Sequence, residues 1–278
     1  GYDQGQIGTT GVTRGERRMR MLKRWWLRSR AFRAAQPELE ACRATMERLF
    51  GGPVTWRRTG GCGRDVVCLV SCGGKPVGVL RRVMPVVAHA SGGPRKGKPV
   101  APLGPEEKIE REWQAYAVGA PHGLTPVPLW RAERTLICAY VDGAPLKKEA
   151  ERSGTYLDVA AAVLPRIAHL HRLGVTHLDM SLANILAEET GRRVFVDFEY
   201  GPAAGLTFDQ QCLYDYLRLL ESVWKFLDLP QRGRAGRVWD AALRAHAPDR
   251  VRAAAVAPLR PALRSEERRV GKECTEQC

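Results

Sequence analysis

The sequence predicts an α+β fold in two lobes, an antiparallel β-rich N-terminal lobe carrying one helix and a mainly helical C-terminal lobe. Three observations carry that expectation. Strand-type runs separated by glycine turns crowd residues 54–83, helical periodicity takes over past residue 143, and 278 residues suffice for one large domain or two small lobes sharing a cleft. At 44% hydrophobic and 27% charged residues the chain is ordinary globular material, which excludes a wholly disordered or fibrous protein. It contains no apolar run of about eighteen residues, the length a spanning helix needs. The basic N-terminus also lacks the continuous apolar core of a secretory signal.

The first helix is expected over residues 38–50, where Leu39, Cys42, Met46 and Leu49 recur at helical spacing and Gly51-Gly52 supplies a stop. VTWRRT, RDVVCLVS and PVGVLRRV then read as three strands of a meander, with TGGCG and CGGK as the turns between them. Residues 85–105, rich in Pro, Gly and Lys, read as a long loop. A helix is expected from Glu106 to Val118, with Ile109, Trp113 and Ala117 on one side. Two more strands follow around Val127–Arg131 and Thr135–Val141, closed by Asp142-Gly143. Tyr156–Leu173 carries a broad apolar stripe, interrupted by Pro165, which must kink the helix or mark a boundary. The strands ANIL and RRVFVDF come next, then a strong amphipathic helix from Asp209 to Leu227, whose Leu219, Leu220, Val223, Trp224, Phe226 and Leu227 are expected in the core.

Charge is unevenly spread. The net charge is +14, and residues 1–36 alone hold nine Arg and Lys against Asp3 and Glu16, a net +7. Leu22, Trp25, Trp26, Leu27 and Phe32 interleave with those cations. Such a segment suits an anionic membrane surface, where each cation adds about 1 kcal/mol, while a solvated arm, or translated sequence upstream of a start at Met19 or Met21, accounts for it equally well. Nucleic acid would feel the same field. It is the weaker partner, because aromatic residues are only 7% of the chain and Trp25/Trp26 are the only clustered pair. Eight cysteines occur without a C-x-x-C pair, the nearest spacings being Cys68/Cys72 and Cys274/Cys278, so they read as reduced thiols of a cytoplasmic protein. The expected division is a basic arm at 1–36, disordered or lying on a membrane, an N-terminal lobe at 37–141, a C-terminal lobe at 142–263, and a tail at 264–278 whose texture matches nothing before it and reads as non-native.

Chemistry concentrates in Thr176–Asp197, THLDMSLANILAEETGRRVFVD. His177, Asp179 and Asn184 stand on a loop after a helix and Asp197 ends an apolar strand. Asp179 and Asn184 are five residues apart, and Asn184 and Asp197 thirteen. A hairpin pairing Ile185-Leu186 with Phe195-Val196 would fold Asp197 back beside Asn184. An Asp and an Asn oxygen meeting at a strand end are hard ligands suited to Mg²⁺ with substrate phosphates, and a second Asp outside the metal's shell can accept a hydroxyl proton. Phosphoryl transfer requires this division of labour.

These residues resemble the protein-kinase-like superfamily. HLDMSLAN is similar to its H-x-D-x-x-x-x-N catalytic loop and DFE to its metal-binding D-F-G. The resemblance implies Asp179 as catalytic base, Asn184 and Asp197 as Mg²⁺ ligands and His177 as a brace. It further implies ATP as the cofactor, with Gly60, Gly61 and Gly63 covering its phosphates, Glu112 orienting the cation of the third strand, and Asp142 marking the nucleotide hinge. That cation is a Lys in the family, whereas here GVLRRV offers Arg81 and Arg82 and the nearby Lys75 lies in the preceding turn. Alternation puts Val77, Val79 and Arg81 on one face, favouring Arg81. The exchange is not conservative, which leaves a catalytically weak binding module open.

Leu178 stands where many members carry Arg, no A-P-E follows, and only a short stretch separates Glu199 from the helix at Asp209. Those departures resemble the lipopolysaccharide (Kdo and heptose) kinase group, with aminoglycoside/choline phosphotransferases as the nearest rival. The implied acceptor is a sugar hydroxyl of a lipid-linked saccharide, approached at the inner face of the membrane; a small-molecule or protein Ser/Thr acceptor is the alternative. Other readings stay open beside these. TGGCGRD is equally a plain hairpin turn, Glu112 equally part of a solvated helix face, and His169 and His171 read as packing or surface residues.

Overall fold

The computed structural model describes residues 29–30, 32–60, 65–84 and 99–255. The basic segment with Trp25 and Trp26, the glycines Gly61 and Gly63 with Cys62, most of the expected 85–105 loop, and the 264–278 tail lie outside the described residues. Within them the chain is α+β. An N-terminal antiparallel five-stranded sheet is followed by a largely helical region.

Helix α1 occupies residues 32–41 and α2 Arg43–Phe50. Residues 32–36, assigned from sequence to the arm, are therefore helical. The reason is the spacing: Phe32, Ala35, Leu39, Cys42 and Met46 alternate by three and four residues, and Ala35, Leu39 and Met46 are fully buried on the sheet. Gly51 ends α2 at φ +72°, its N–H donating to Glu47 O.

The sheet comprises β1 (Val54–Gly60), β2 (Asp65–Cys72), β3 (Lys75–Val83), β5 (Pro128–Ala132) and β6 (Thr135–Ala139), in the order β1-β2-β3-β6-β5. Gly73 and Gly74 both have positive φ, as a two-residue hairpin turn of matching twist demands, and they set Cys72 opposite Lys75. An irregularity at Val70/Ser71 then shifts the pairing by one residue, which places Val67 opposite Arg81. The sheet is covered on both faces. Val66, Cys68, Val70, Leu80 and Ile137 pack on α1 and α2, while Val79, Val83, Leu136 and Cys138 face the other way, toward α3 (Pro105–Gly119) and the helical region.

Pro105 opens α3, and Glu107 reaches back to accept from the Gly104 N–H at 2.8 Å. Its buried face is Ile109, Glu112, Ala115 and Tyr116. This corrects the expected stripe: Trp113 is half-buried and Ala117 exposed, because α3 rotates to turn a carboxylate inward. Between β3 and α3, β4 (Val100–Pro102) pairs with β10 (Tyr200–Pro202), so part of the expected long loop is a strand.

In the second half β7 (Gly143–Pro145), β8 (Ile185–Glu188) and β9 (Arg193–Phe195) form a small sheet, with Ile185 opposite Phe195 as the hairpin reading requires. Helix α4 spans Leu146–Ser153. The apolar stripe divides into α5 (Tyr156–Ala161) and α6 (Leu164–Arg172), with Pro165 in the first turn of α6, so the proline marks a boundary. Helix α7 (Phe208–Trp224) opens on a reciprocal cap: Thr207 Oγ1 accepts from the Gln210 N–H at 3.3 Å and Gln210 Oε1 from the Thr207 N–H at 3.0 Å. Helices α8 (Leu229–His246) and α9 (Asp249–Arg252) complete the described chain. Tyr214, Tyr216, Leu219, Val223, Leu227, Trp239 and Phe198 fill the core between them. Trp224, expected there, is instead 36% exposed, because α7 ends at it and the chain turns away.

The five cysteines among the described residues are free thiols. Burial pushes Cys68 up to about 11 and raises Cys42, Cys138 and Cys212 as well. Iodoacetamide at pH 8 should therefore label half-buried Cys72 well before those four, since a buried thiol is both protonated and shielded until the fold opens. Peptide mapping checks this, and equal rates would mean that the sheet opens readily.

Candidate functional site

The loop after α6 is held by one buried carboxylate. Asp215 of α7, fully buried, accepts from the His177 N–H at 2.7 Å and the Leu178 N–H at 2.6 Å, and its Oδ2 lies 3.0 Å from Nε2 of His171 at the end of α6. This makes His171 a structural residue. Leu178 sits at φ +65°, a left-handed conformation that costs about 1–3 kcal/mol for a residue with a side chain. Two charge-assisted bonds from Asp215 hold it there. The reversal directs Asp179 outward, its side chain 29% exposed.

His177 ties this loop to the strand that precedes Asp197. Its Nδ1 accepts from the Asp179 N–H at 3.3 Å, so Nε2 carries the proton and donates to Val196 O at 2.9 Å, while the ring packs on Phe198. Asn184 closes the arrangement. Its Nδ2 donates to Asp179 O at 3.0 Å, and its backbone carbonyl accepts from the Val196 N–H at 3.0 Å. The amide NH₂ is thus engaged with the loop, which turns Oδ1 the opposite way. Asp197 follows at φ +74°, a second strained non-glycine residue, with its N–H on Tyr116 Oη at 3.4 Å. Asp179, Asn184 and Asp197 therefore share one hydrogen-bonded frame.

Arg81 is the charged centre beside it. From β3 its Nη1 donates to Glu112 Oε2 of α3 at 2.9 Å and to Asp197 Oδ1, and its Nη2 donates to Asp65 Oδ2 of β2 at 2.7 Å and to Glu199 Oε2 at 3.1 Å. Burial alone would weaken the guanidinium's hold on its proton; Glu112, Asp197, Asp65 and Glu199 outweigh it and raise Arg81 well above its ordinary value. Burial likewise raises Glu112, against the pull of Arg81. Tyr116 Oη donates to Glu112 Oε1 at 2.6 Å, so both carboxylate oxygens are satisfied. Arg82 points to the other face of the sheet, bonding Glu38 and Thr135.

A second cation lies on the far side of the loop. Arg218 of α7 reaches Asp179 Oδ1 at 3.2 Å and Glu221 Oε2 at 3.1 Å. Burial works against its charge, but Asp179 and Glu221 prevail and raise it. Asp179 is thereby held in one orientation by a guanidinium from a different element.

The remaining candidates stand apart. Gly60 ends β1 at an irregularity of the β1–β2 register, opposite Val67, and Gly61 and Gly63 lie outside the described residues. Asp142 is exposed between β6 and β7 and accepts from Tyr140 Oη at 3.4 Å; among the described residues no hydrogen bond links it to the Arg81 cluster. A cavity of about 940 Å³ opens on the opposite side of α3, lined by Glu106, Glu110, Arg131 and Gln211 among others, and contains none of the candidate residues.

Sequence reasoning missed Asp65, Asp215 and Arg218. None of them left a signal. The turn at Gly73-Gly74 by itself would set Val66 opposite Arg81 and turn Asp65 to the other face; the irregularity at Val70/Ser71 shifts the register by one, so that Asp65, two positions before Val67, comes to share the face of Arg81. Asp215 and Arg218 look like ordinary polar positions on an amphipathic helix. No family model matches the chain, and no curated protein sequence matches it.

Proposed function

We propose that the chain is an ATP- and magnesium-dependent phosphotransferase that moves the γ-phosphoryl group to a hydroxyl, built on a two-lobe protein-kinase-like fold. The observation that carries this reading is the Arg81 centre. One cation on the third strand bonds at once to Glu112 of the following helix and to Asp197, while Asp179 and Asn184 share a hydrogen-bonded frame with Asp197. This is the constellation that positional catalysis of phosphoryl transfer needs.

Asn184 Oδ1 and the Asp197 carboxylate are the hard oxygen donors that magnesium takes together with phosphate. Among the described residues no group of three or more His, Cys, Asp or Glu side chains could by itself hold a metal ion. Held by Asn184 and Asp197, magnesium would supply neutralisation of the phosphate charge. Arg81 steadies phosphate charge. Asp179, oriented by Arg218, accepts the proton of the attacking hydroxyl. His177 and Asp215 hold the loop.

The preferred acceptor is a sugar hydroxyl of a lipid-linked saccharide, at the inner face of a membrane. It is supported by the short run between Glu199 and α7, too little chain for a peptide-docking platform. No helix among the described residues is long and apolar enough to cross a membrane. Two outcomes test the reading. Label from [γ-³²P]ATP should pass to core lipopolysaccharide rather than to an aminoglycoside panel or casein. At a hundredfold excess over Kd, Mg-ATP should stabilise the wild type by about 2.7 kcal/mol in thermal unfolding, and Asp197→Ala should lose that stabilisation. Wild type that neither binds nor transfers would refute the reading.

A further inference from the structure

An arginine has four N–H groups on its two terminal nitrogens and a fifth on Nε. In Arg81 all four terminal hydrogens are taken, by Glu112, Asp197, Asp65 and Glu199, and Nε is buried without a hydrogen-bond partner. No terminal donor is left over for a phosphate oxygen. A nucleotide can engage Arg81 only by displacing a carboxylate.

Exposure separates the four. The side chains of Glu112 and Asp65 are 5% and 6% exposed, whereas those of Asp197 and Glu199 are 39% and 20% exposed. The buried pair anchors Arg81, and the accessible pair meets an incoming ligand. Asp197 has a destination in the reading above, the magnesium ion. Glu199 has one in the protein itself: its Oε2, 3.1 Å from Arg81 Nη2, is also 3.2 Å from Lys108 Nζ of α3. A carboxylate shared between two cations can leave one without losing an ionic partner.

Resting on the phosphotransferase reading, we propose that Glu199 is the residue that sets nucleotide affinity at this site: it competes with the phosphates for Arg81 and passes wholly to Lys108 when they bind. The residue occupies the third position of D-F-E, so the competing carboxylate stands two positions from Asp197. Because Lys108 and Glu112 lie on the same helix, one turn apart, the transfer also couples phosphate binding to the position of α3.

The experiment is calorimetric binding of ATP, with and without magnesium, and of adenosine, to the full chain and to Glu199→Gln, Lys108→Met and the double variant. Glu199→Gln should tighten ATP about tenfold, the worth of one charge-assisted hydrogen bond returned to the phosphates, and leave adenosine unchanged. Lys108→Met should weaken ATP in the wild-type background and have little effect beside Glu199→Gln, because the two residues then share one function. Three results overturn the proposal: ATP binding to Glu199→Gln no tighter than wild type, an equal gain for adenosine, or an undiminished Lys108→Met loss in the double variant. If neither wild type nor variants bind ATP, the phosphotransferase reading falls first.

Discussion

Replacing Arg81 with alanine should lower the unfolding free energy by about 3–5 kcal/mol, the usual cost of removing one member of a buried ionic group. For a chain of this size that is a fall in Tm of roughly 6–20 °C. Glu112 and Asp65 would be left in the interior without their cation, and Tyr116 would serve only one oxygen of Glu112. The defect should depend on pH. Burial already raises Glu112 above its ordinary value and Arg81 pulls it down, so removing Arg81 raises it further. A carboxyl whose folded pKa lies above its unfolded one loses stability as pH climbs past the unfolded value, here about 4.5. The gap between variant and wild type should therefore be widest near neutrality and narrow toward pH 4. Arg81→Lys should fall between them, since an ammonium keeps the charge but cannot span four carboxylates with a planar fork. Calorimetric melts across that range decide it, and an Arg81→Ala protein that melts with the wild type would show the centre to be solvated.

Asp179→Asn should reduce phosphate transfer by about 10²–10⁴-fold, the contribution typical of a positioned general base, with little change in Tm. The side chain is partly exposed, and its partner Arg218 keeps Glu221. Asparagine preserves the shape and can still accept from Arg218, but it cannot take a proton from the acceptor. ATP affinity should hold while kcat falls, which separates this variant from Asp197→Ala, where binding itself should fail. A fully active Asp179→Asn enzyme would remove Asp179 from the chemistry and with it the proposed mechanism.

Most of the architecture was readable from local rules. Gly73-Gly74 between alternating strands and Gly51 after apolar positions spaced by three and four residues each act within a few residues, so their neighbours in the chain suffice to interpret them, and for Pro165 they leave only a kink or a boundary. The same holds for the Asp179–Asn184–Asp197 spacing, because the hairpin of β8 and β9 converts thirteen residues of separation into adjacency. Hydrophobic period was less informative where a charge had a buried purpose. In α3 the apolar rule favours Ile109, Trp113 and Ala117, yet the helix faces inward with Glu112, since the attraction of Arg81 outweighs exposing an alanine.

Pairings across the chain obey no such rule. Arg81 meets carboxylates 16, 31, 116 and 118 positions away, and Asp215 holds a loop 37 and 38 positions before it. Local order, turns, caps and the candidate triad thus follow from residue type and spacing, which act over a turn or a hairpin. The partners of Arg81, the support beneath Asp179 and the place of Glu199 between Arg81 and Lys108 follow from packing, because an ionic contact depends on distance in space and burial, and neither is written in the linear neighbourhood of the charge.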